Sequence, residues 1–283
     1  MIDMFSESSY NPKEEGKELR VSKSSYMAYT KCARLYWWRY IKLRDLKIPP
    51  NEFMIKGSAV HDALEVMYDE PTPIIREGLP SGTEYDTIYD TMAELEEQRK
   101  EDWGEESFKP LEHEIKWEVW DEENECLLVG KCDGVLLHPD GGVCLLELKT
   151  GNLNMGKLGR TRQELCFYAR MFELMDHDYP SVTHFMYLSP ECTDPKTSEK
   201  LLNQNRKKVW LGNEQGIAIV EKVNQRSINT FTKKLKGAVN GMKKKLWPMN
   251  WSDYYCPEWC EFNLSCDEEL HGEGEDPTGD AQC

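Results

Sequence analysis

Asp133, Glu147 and Lys149 are the side chains of this chain best placed for chemistry. They stand in the stretch 129–150, VGKCDGVLLHPDGGVCLLELKT, where two apolar runs flank the turn Pro139-Asp140-Gly141-Gly142. The pattern predicts a hairpin, with strand-like Cys126–Val129 and Val135–His138 on one side and a buried strand Val143–Leu148 on the other. Charges at the end of such a hairpin are costly to bury unless paired or bound to a metal. Glu147 and Lys149 are two apart and share a strand face, with Leu148 opposite. Asp133, opening the partner strand, can sit beside them. Two carboxylates and a lysine suit divalent-metal chemistry on phosphate. Hard oxygens hold Mg²⁺ or Mn²⁺ and leave positions for water and a phosphate oxygen. The ion activates that water and offsets charge in an in-line displacement, and the lysine orients the water or stabilises the phosphoryl oxygens. The plainer alternative is an edge-strand salt bridge between Glu147 and Lys149.

The flanking segments add to this set. Upstream, Gly57-Ser-Ala-Val-His61-Asp-Ala-Leu-Glu65 reads as helix, with His61 and Glu65 on one face. Downstream, Arg162-Gln163-Glu-Leu-Cys-Phe167-Tyr168-Ala-Arg170 is also helical in pattern. The order G-x-x-x-H-x-x-x-E, then D, then E-x-K, then a Gln/Tyr helix resembles the RecB-like branch of the PD-(D/E)XK nuclease superfamily, over roughly residues 21–266. The resemblance implies a restriction-endonuclease-like α/β core. It implies His61, Asp133 and Glu147 as metal ligands, with the Leu148 carbonyl a further one, and Lys149 as the catalytic lysine. Gln163 and the aromatic near it would contact DNA or brace the site. The tyrosine of that family follows its glutamine by four; here Phe167 holds that place and Tyr168 comes one later, off the same helical face.

The segment Cys256-Pro-Glu-Trp-Cys260-Glu-Phe-Asn-Leu-Ser-Cys266 packs three cysteines close together, and Cys32 offers a distant fourth. Four thiolates suit a [4Fe–4S] cluster or a zinc ion; a disulfide pair or buried free thiols are the bland alternatives. The pattern resembles the iron–sulfur staple of the AddB nuclease domain and the CRISPR-associated RecB-like exonucleases, with one residue more between the first two cysteines of the triplet. Such a cluster would join the N- and C-terminal segments and close a loop of more than two hundred residues. Cys126, Cys132, Cys144 and Cys166 read as small buried hydrophobes, and Cys192 and Cys283 have no visible partner.

The net charge of −16 argues at first against a nucleic-acid enzyme, but the charge is segregated. Lys31–Lys47 holds six Lys or Arg and one acid, interleaved with Tyr36, Trp37, Trp38 and Tyr40, and Phe231–Trp247 holds six lysines and no acid. Both look helical and can present basic faces to a phosphate backbone. Arg34 and Arg39 are the candidate DNA contacts of the first, where the aromatics can stack on unpaired bases; alternatively they are core and the basic side chains snorkel. His113, His138, His177 and His184 lack metal-ligand spacing and read as structural or exposed, and His271 lies in the acidic tail. The N-terminus lacks an apolar leader and no run approaches membrane-spanning length. Ten cysteines without an export signal point to a reducing compartment, the cytoplasm, or a host's cytoplasm for a viral gene.

Strands alternating with helices predict a mixed β-sheet flanked by helices. The expected organisation is a flexible segment 1–20, one nuclease domain over 21–266 with a helical insertion near 70–110, and a disordered acidic tail 267–283. Ser22–Arg44 is expected as one helix, Phe53–Tyr68 as another, Gly151–Gly159 as a loop. The expected activity is metal-dependent hydrolysis of DNA phosphodiesters. The resemblance suggests an exonuclease on single-stranded or unwound ends in recombination, repair or phage replication, with a helicase or recombination protein as possible partner. A non-cleaving DNA-binding module of the same fold and a zinc enzyme on small phosphate esters are the rival classes.

Overall fold

The computed structural model describes residues 18–46, 49–69, 80, 82–151, 153–191, 199–200, 207–212 and 216–271. Residues 71–79 of the insertion expected near 70–110, nearly all of the N-terminal segment, most of the acidic tail, Cys192 and Cys283 lie outside them. The described residues form two compact units. One is drawn from 1–48, 118–129 and 232–283, the other from 49–117 and 130–231.

Strands β1 (Arg20–Ser22), β2 (Glu112–Asp121), β3 (Cys126–Leu137), β4 (Val143–Leu148), β5 (Val182–Ser189), β6 (Lys207–Gly212) and β7 (Gly216–Lys222) form one seven-stranded sheet. Its order is β1-β3-β4-β5-β7-β6, with β2 also paired to β3. The β1–β3 and β4–β5 pairs are parallel, whereas β3–β4, β5–β7 and β6–β7 are antiparallel. The mixed α/β sheet expected from the sequence is therefore present. β3 is one continuous strand, where the sequence suggested a break before Asp133. The lack of a side chain at Gly130 serves packing: a Cβ there would lie 2.7 Å from the Tyr168 ring. Lys207–Gly212 and Gly216–Lys222 pair antiparallel as β6 and β7.

In the second unit, α3 (Glu52–Asp69) and α4 (Thr83–Trp103) cover one face of the sheet. Val60, Leu64, Met92 and Leu95 meet Leu136, Cys144, Leu146, Leu148 and Met186 there. Burying each large apolar side chain contributes about 1.5–3 kcal/mol. The short helix α5 (Glu105–Phe108) follows α4, and α6 (Met155–Leu174) packs on β4 and β5. All six residues of β4 are buried, as an interior strand requires. The expected loop 151–159 is shorter than predicted, because Asn154 caps α6 by accepting from the Lys157 N–H.

In the first unit, Ser22 and Ser25 form a capping box that starts α1 (Lys23–Lys31). The helix does not run on to Arg44. Cys32 is extended (φ −159°, ψ 115°), then come α2 (Ala33–Tyr36) and a π-helical turn Trp37–Lys42, closed by Leu43 N–H donating to the Trp38 carbonyl at 2.9 Å. Helix α7 (Gln225–Lys243) enters this unit from the second, and α8 (Tyr255–Trp259) and α9 (Asn263–His271) complete it.

Candidate metal centre and cysteine cavity

Three elements of the second unit bring His61, Glu114 and Asp133 together, with donor atoms within 4.8 Å of one another. His61 projects from α3, and its Nδ1 is 2.9 Å from Glu114 Oε1 and 3.6 Å from Asp133 Oδ1. Asp133, in the middle of β3, is fixed by the Leu148 N–H, which donates to its Oδ2 at 2.7 Å. Glu114 comes from β2 with φ +50°, a left-handed backbone that costs a non-glycine residue about 1–3 kcal/mol. It also pairs with Lys131 Nζ.

Beside this trio, Glu147 and Lys149 share one side of the β4 end, as their spacing predicted. Lys149 Nζ lies 2.5 Å from Glu147 Oε1 and 2.6 Å from Glu164 Oε2 of α6. β4 is interior, so this is no edge-strand salt bridge. Asp133, Glu147 and Glu164 are 6%, 1% and 7% exposed, so their charges act in a poorly solvated setting where they are strong. Burial alone would pull the His61 imidazole down; Asp133, then Glu114 and Glu147, outweigh it and hold it above its ordinary value. Burial would raise Glu114, but His61 and Lys131 hold it below the usual carboxylate range. The donor set is hard carboxylate oxygen with one imidazole, which fits a divalent ion such as Mg²⁺ or Mn²⁺.

Gln163 is half-buried, and the side chain that reaches Lys149 is its neighbour Glu164. Tyr168 is 1% exposed, and its hydroxyl donates to the Lys131 carbonyl. It braces β3, one of the two roles that the resemblance implied. Glu164 and Tyr168 are four apart, the signal that a search fixed on glutamine overlooked. Glu114 had no such signal: it lies far along the chain in a strand already rich in charge.

In the first unit, Cys32, Cys256, Cys260 and Cys266 all line one cavity of about 220 Å³. Backbone amides point at the sulfurs: Asn250 N–H donates to Cys32 Sγ at 3.4 Å and Ser252 N–H to Cys256 Sγ at 3.3 Å. Burial pushes the Cys266 thiol up to about 11, with Cys260 and Cys32 adding to the rise. Cys126, Cys132, Cys144 and Cys166 are buried, as expected.

Two arginines of the first basic stretch pair within the protein. Arg34 is mostly buried, 3.5 Å from Glu269, and Arg39 pairs with Glu261 at 2.5 Å. Tyr36 and Trp37 are buried, and Trp38 stacks on Phe262 at 5.9 Å. Arg34 and Arg39 therefore tie α2 and its π-helical turn to the cysteine segment, and Tyr36 and Trp37 are core. The second stretch keeps Lys233, Lys234, Lys244 and Lys245 exposed.

No curated protein matches the chain. A solved structure titled "Crystal structure of SSO0001" matches at 14% identity, covering 89% of this chain and 86% of that chain with a TM-score of 0.37. The family model of the PD-(D/E)XK nuclease superfamily matches residues 20–267. The chain belongs to the PD-(D/E)XK nuclease superfamily.

Proposed function

We propose that this protein is a metal-dependent deoxyribonuclease that hydrolyses phosphodiesters, acting as an exonuclease on single-stranded or unwound ends. Superfamily membership supports a metal-dependent nuclease. The observation that carries phosphodiester hydrolysis is the Lys149 ammonium held between two carboxylates beside the His61–Glu114–Asp133 trio, and the exonuclease mode rests on the resemblance to RecB-like enzymes. His61, Glu114, Asp133, Glu147 and the Leu148 carbonyl would hold the ion. Once bound, Mg²⁺ or Mn²⁺ supplies positive charge to polarise the phosphate and make a water more acidic. Lys149 orients the attacking water and stabilises the phosphoryl oxygens. Glu164 keeps that ammonium in place, and Tyr168 fixes the β3 backbone next to Asp133. The exposed lysines of α7 suit contact with a phosphate backbone.

The same reading assigns Cys32, Cys256, Cys260 and Cys266 to a [4Fe–4S] cluster. The four sulfurs share one cavity, and N–H donors to sulfur are what cluster sites use to stabilise and tune thiolates. Zinc is the competing occupant, and metal analysis separates the two.

The test is cleavage of end-labelled single- and double-stranded DNA in Mg²⁺ or Mn²⁺. Wild type should degrade DNA from its ends, giving a ladder that reports polarity. Lys149→Ala should lose about 10²–10³ in rate while retaining DNA binding, the size typical for removing one stabilising group from an active site. No cleavage by wild type with its cluster intact would leave a non-cleaving DNA-binding module as the function.

A further inference from the structure

Lys131 lies on β3 two residues before Asp133, so the two share a strand face at the metal centre of the second unit. Its backbone is fixed, because the Tyr168 hydroxyl donates to its carbonyl. Its side chain is 40% exposed, against 7% for its partner Glu114. Glu114 divides its carboxylate between two groups. Oε1 is 2.9 Å from His61 Nδ1 in the donor trio, and Oε2 takes the Lys131 ammonium. Burial would lower the Lys131 ammonium, but Glu114, then Glu65 and Asp133, hold it above its ordinary value, so it carries a full positive charge. Nothing in the nuclease reading uses Lys131, although it pairs with a carboxylate of the centre as Lys149 does.

A lysine in this place balances charge. Glu114 and Asp133 stand close together and little exposed, and Lys131 offsets part of their mutual repulsion while no ion is bound. Once these two carboxylates hold a divalent ion, the same ammonium is a like charge within a few ångström of it, in a poorly solvated setting where repulsion is strong. An outward swing of the ammonium on its flexible four-carbon stem relieves that repulsion, and the exposed head leaves room for it. Only the side chain has to move, because Tyr168 keeps the backbone in place. A phosphodiester at the same centre brings the negative charge that the ammonium then lacks.

We propose that Lys131 is an ion-gated substrate contact: it pairs with Glu114 in the metal-free protein and moves to a DNA phosphate when Glu114 takes the ion. This rests on the nuclease reading of the same centre. It makes ion and DNA binding cooperative, since each is helped by the partner exchange that the other requires, and such coupling is reciprocal.

The test uses the slow Lys149→Ala protein and a fluorescent single-stranded oligonucleotide, with Mn²⁺ omitted or added. Without Mn²⁺, the further change Lys131→Gln should leave DNA affinity unchanged. With Mn²⁺ it should weaken DNA binding several-fold and lower the salt slope by about 0.7, the loss of one single-strand phosphate contact. In the absence of DNA, Lys131→Gln should tighten Mn²⁺ binding several-fold by calorimetry, because no ammonium then competes for Glu114. A second variant, Glu114→Gln, should strengthen DNA binding without Mn²⁺, and Lys131→Gln added to it should abolish that gain. A lysine that only braces Glu114 gives the opposite sign. Lys131→Gln would then weaken Mn²⁺ binding and leave DNA affinity the same with and without the ion, which overturns the proposal. Cleavage by the protein with Lys149 intact is scored separately. A cutting enzyme whose Lys131→Gln form binds DNA as before refutes the role of the lysine and leaves the nuclease reading standing.

Discussion

Glu164 determines where the Lys149 ammonium sits. A lysine has a flexible four-carbon stem and three donors, so its position depends on what accepts from it. Glu147 alone would let it swing; Glu164, 2.6 Å away on a different element, fixes a second direction. Glu164→Ala should lower kcat by about 10–100-fold, the range for a partner that orients a catalytic group. KM should stay nearly constant, and Glu164→Gln should restore part of the rate, because an amide still accepts from the ammonium without its charge. A change in KM alone would contradict a positioning role. This residue also shows what was legible. Asp133, Glu147, Lys149 and His61 could be read because two-residue and four-residue spacings survive folding as shared faces. Glu164 was hidden behind its neighbour Gln163, whose identity was the expected one. Glu114 was hidden for a different reason: only the left-handed turn of β2 aims it at His61, and no residue-type preference announces a glutamate there.

At the scale of elements, α4 carries a buried stripe that is not wholly apolar. Ile88, Met92 and Leu95 point inward as their spacing requires, but the stripe continues into Glu96 and Arg99, at 1% and 0% exposure. Arg99 Nη2 is 2.5 Å from Glu96 Oε2 and also donates to the Phe108 carbonyl at 2.8 Å, while Nη1 donates to the Ser107 carbonyl at 3.2 Å. The pair thus anchors α5 to α4 through carbonyls that α5 leaves open. Tyr68 of α3 donates to the same Glu96 oxygen at 3.1 Å. Glu96→Ala should cost about 3–5 kcal/mol in urea unfolding, because it strands a buried guanidinium. Glu96→Leu with Arg99→Met should recover most of that loss. A cost under about 1 kcal/mol for the single change would mean that water reaches the site. The charged sequence of α4 read as a helical insertion. Periodicity identified the helix and could not show that two of its charges neutralise each other inside. The same limit applied at Arg34 and Arg39, whose acidic partners lie far along the chain.

For the whole molecule, the decisive feature is that the first unit is assembled from three distant chain segments. Cys32 and the triplet Cys256–Cys266 sit on segments separated by more than two hundred residues, and they meet at one cavity. An occupant bound by all four sulfurs cross-links the unfolded chain across that loop. By the loop-closure relation such a link is worth up to about 5 kcal/mol, added to the direct metal–thiolate energy. Protein purified without oxygen should be brown and hold about four irons per chain, the count of a [4Fe–4S] cluster. Cys260→Ser should bleach it, lower the thermal midpoint and make the segment 249–271 the first site of limited proteolysis. The interior strand β4 and the helix α6, which carry Glu147 and Glu164, belong to the other unit and should resist digestion longer. Colourless wild-type protein holding one zinc would keep the staple and remove the iron. An unchanged midpoint in Cys260→Ser would show that the ion pairs Arg34–Glu269 and Arg39–Glu261, with Trp38 stacked on Phe262, hold the unit without any metal.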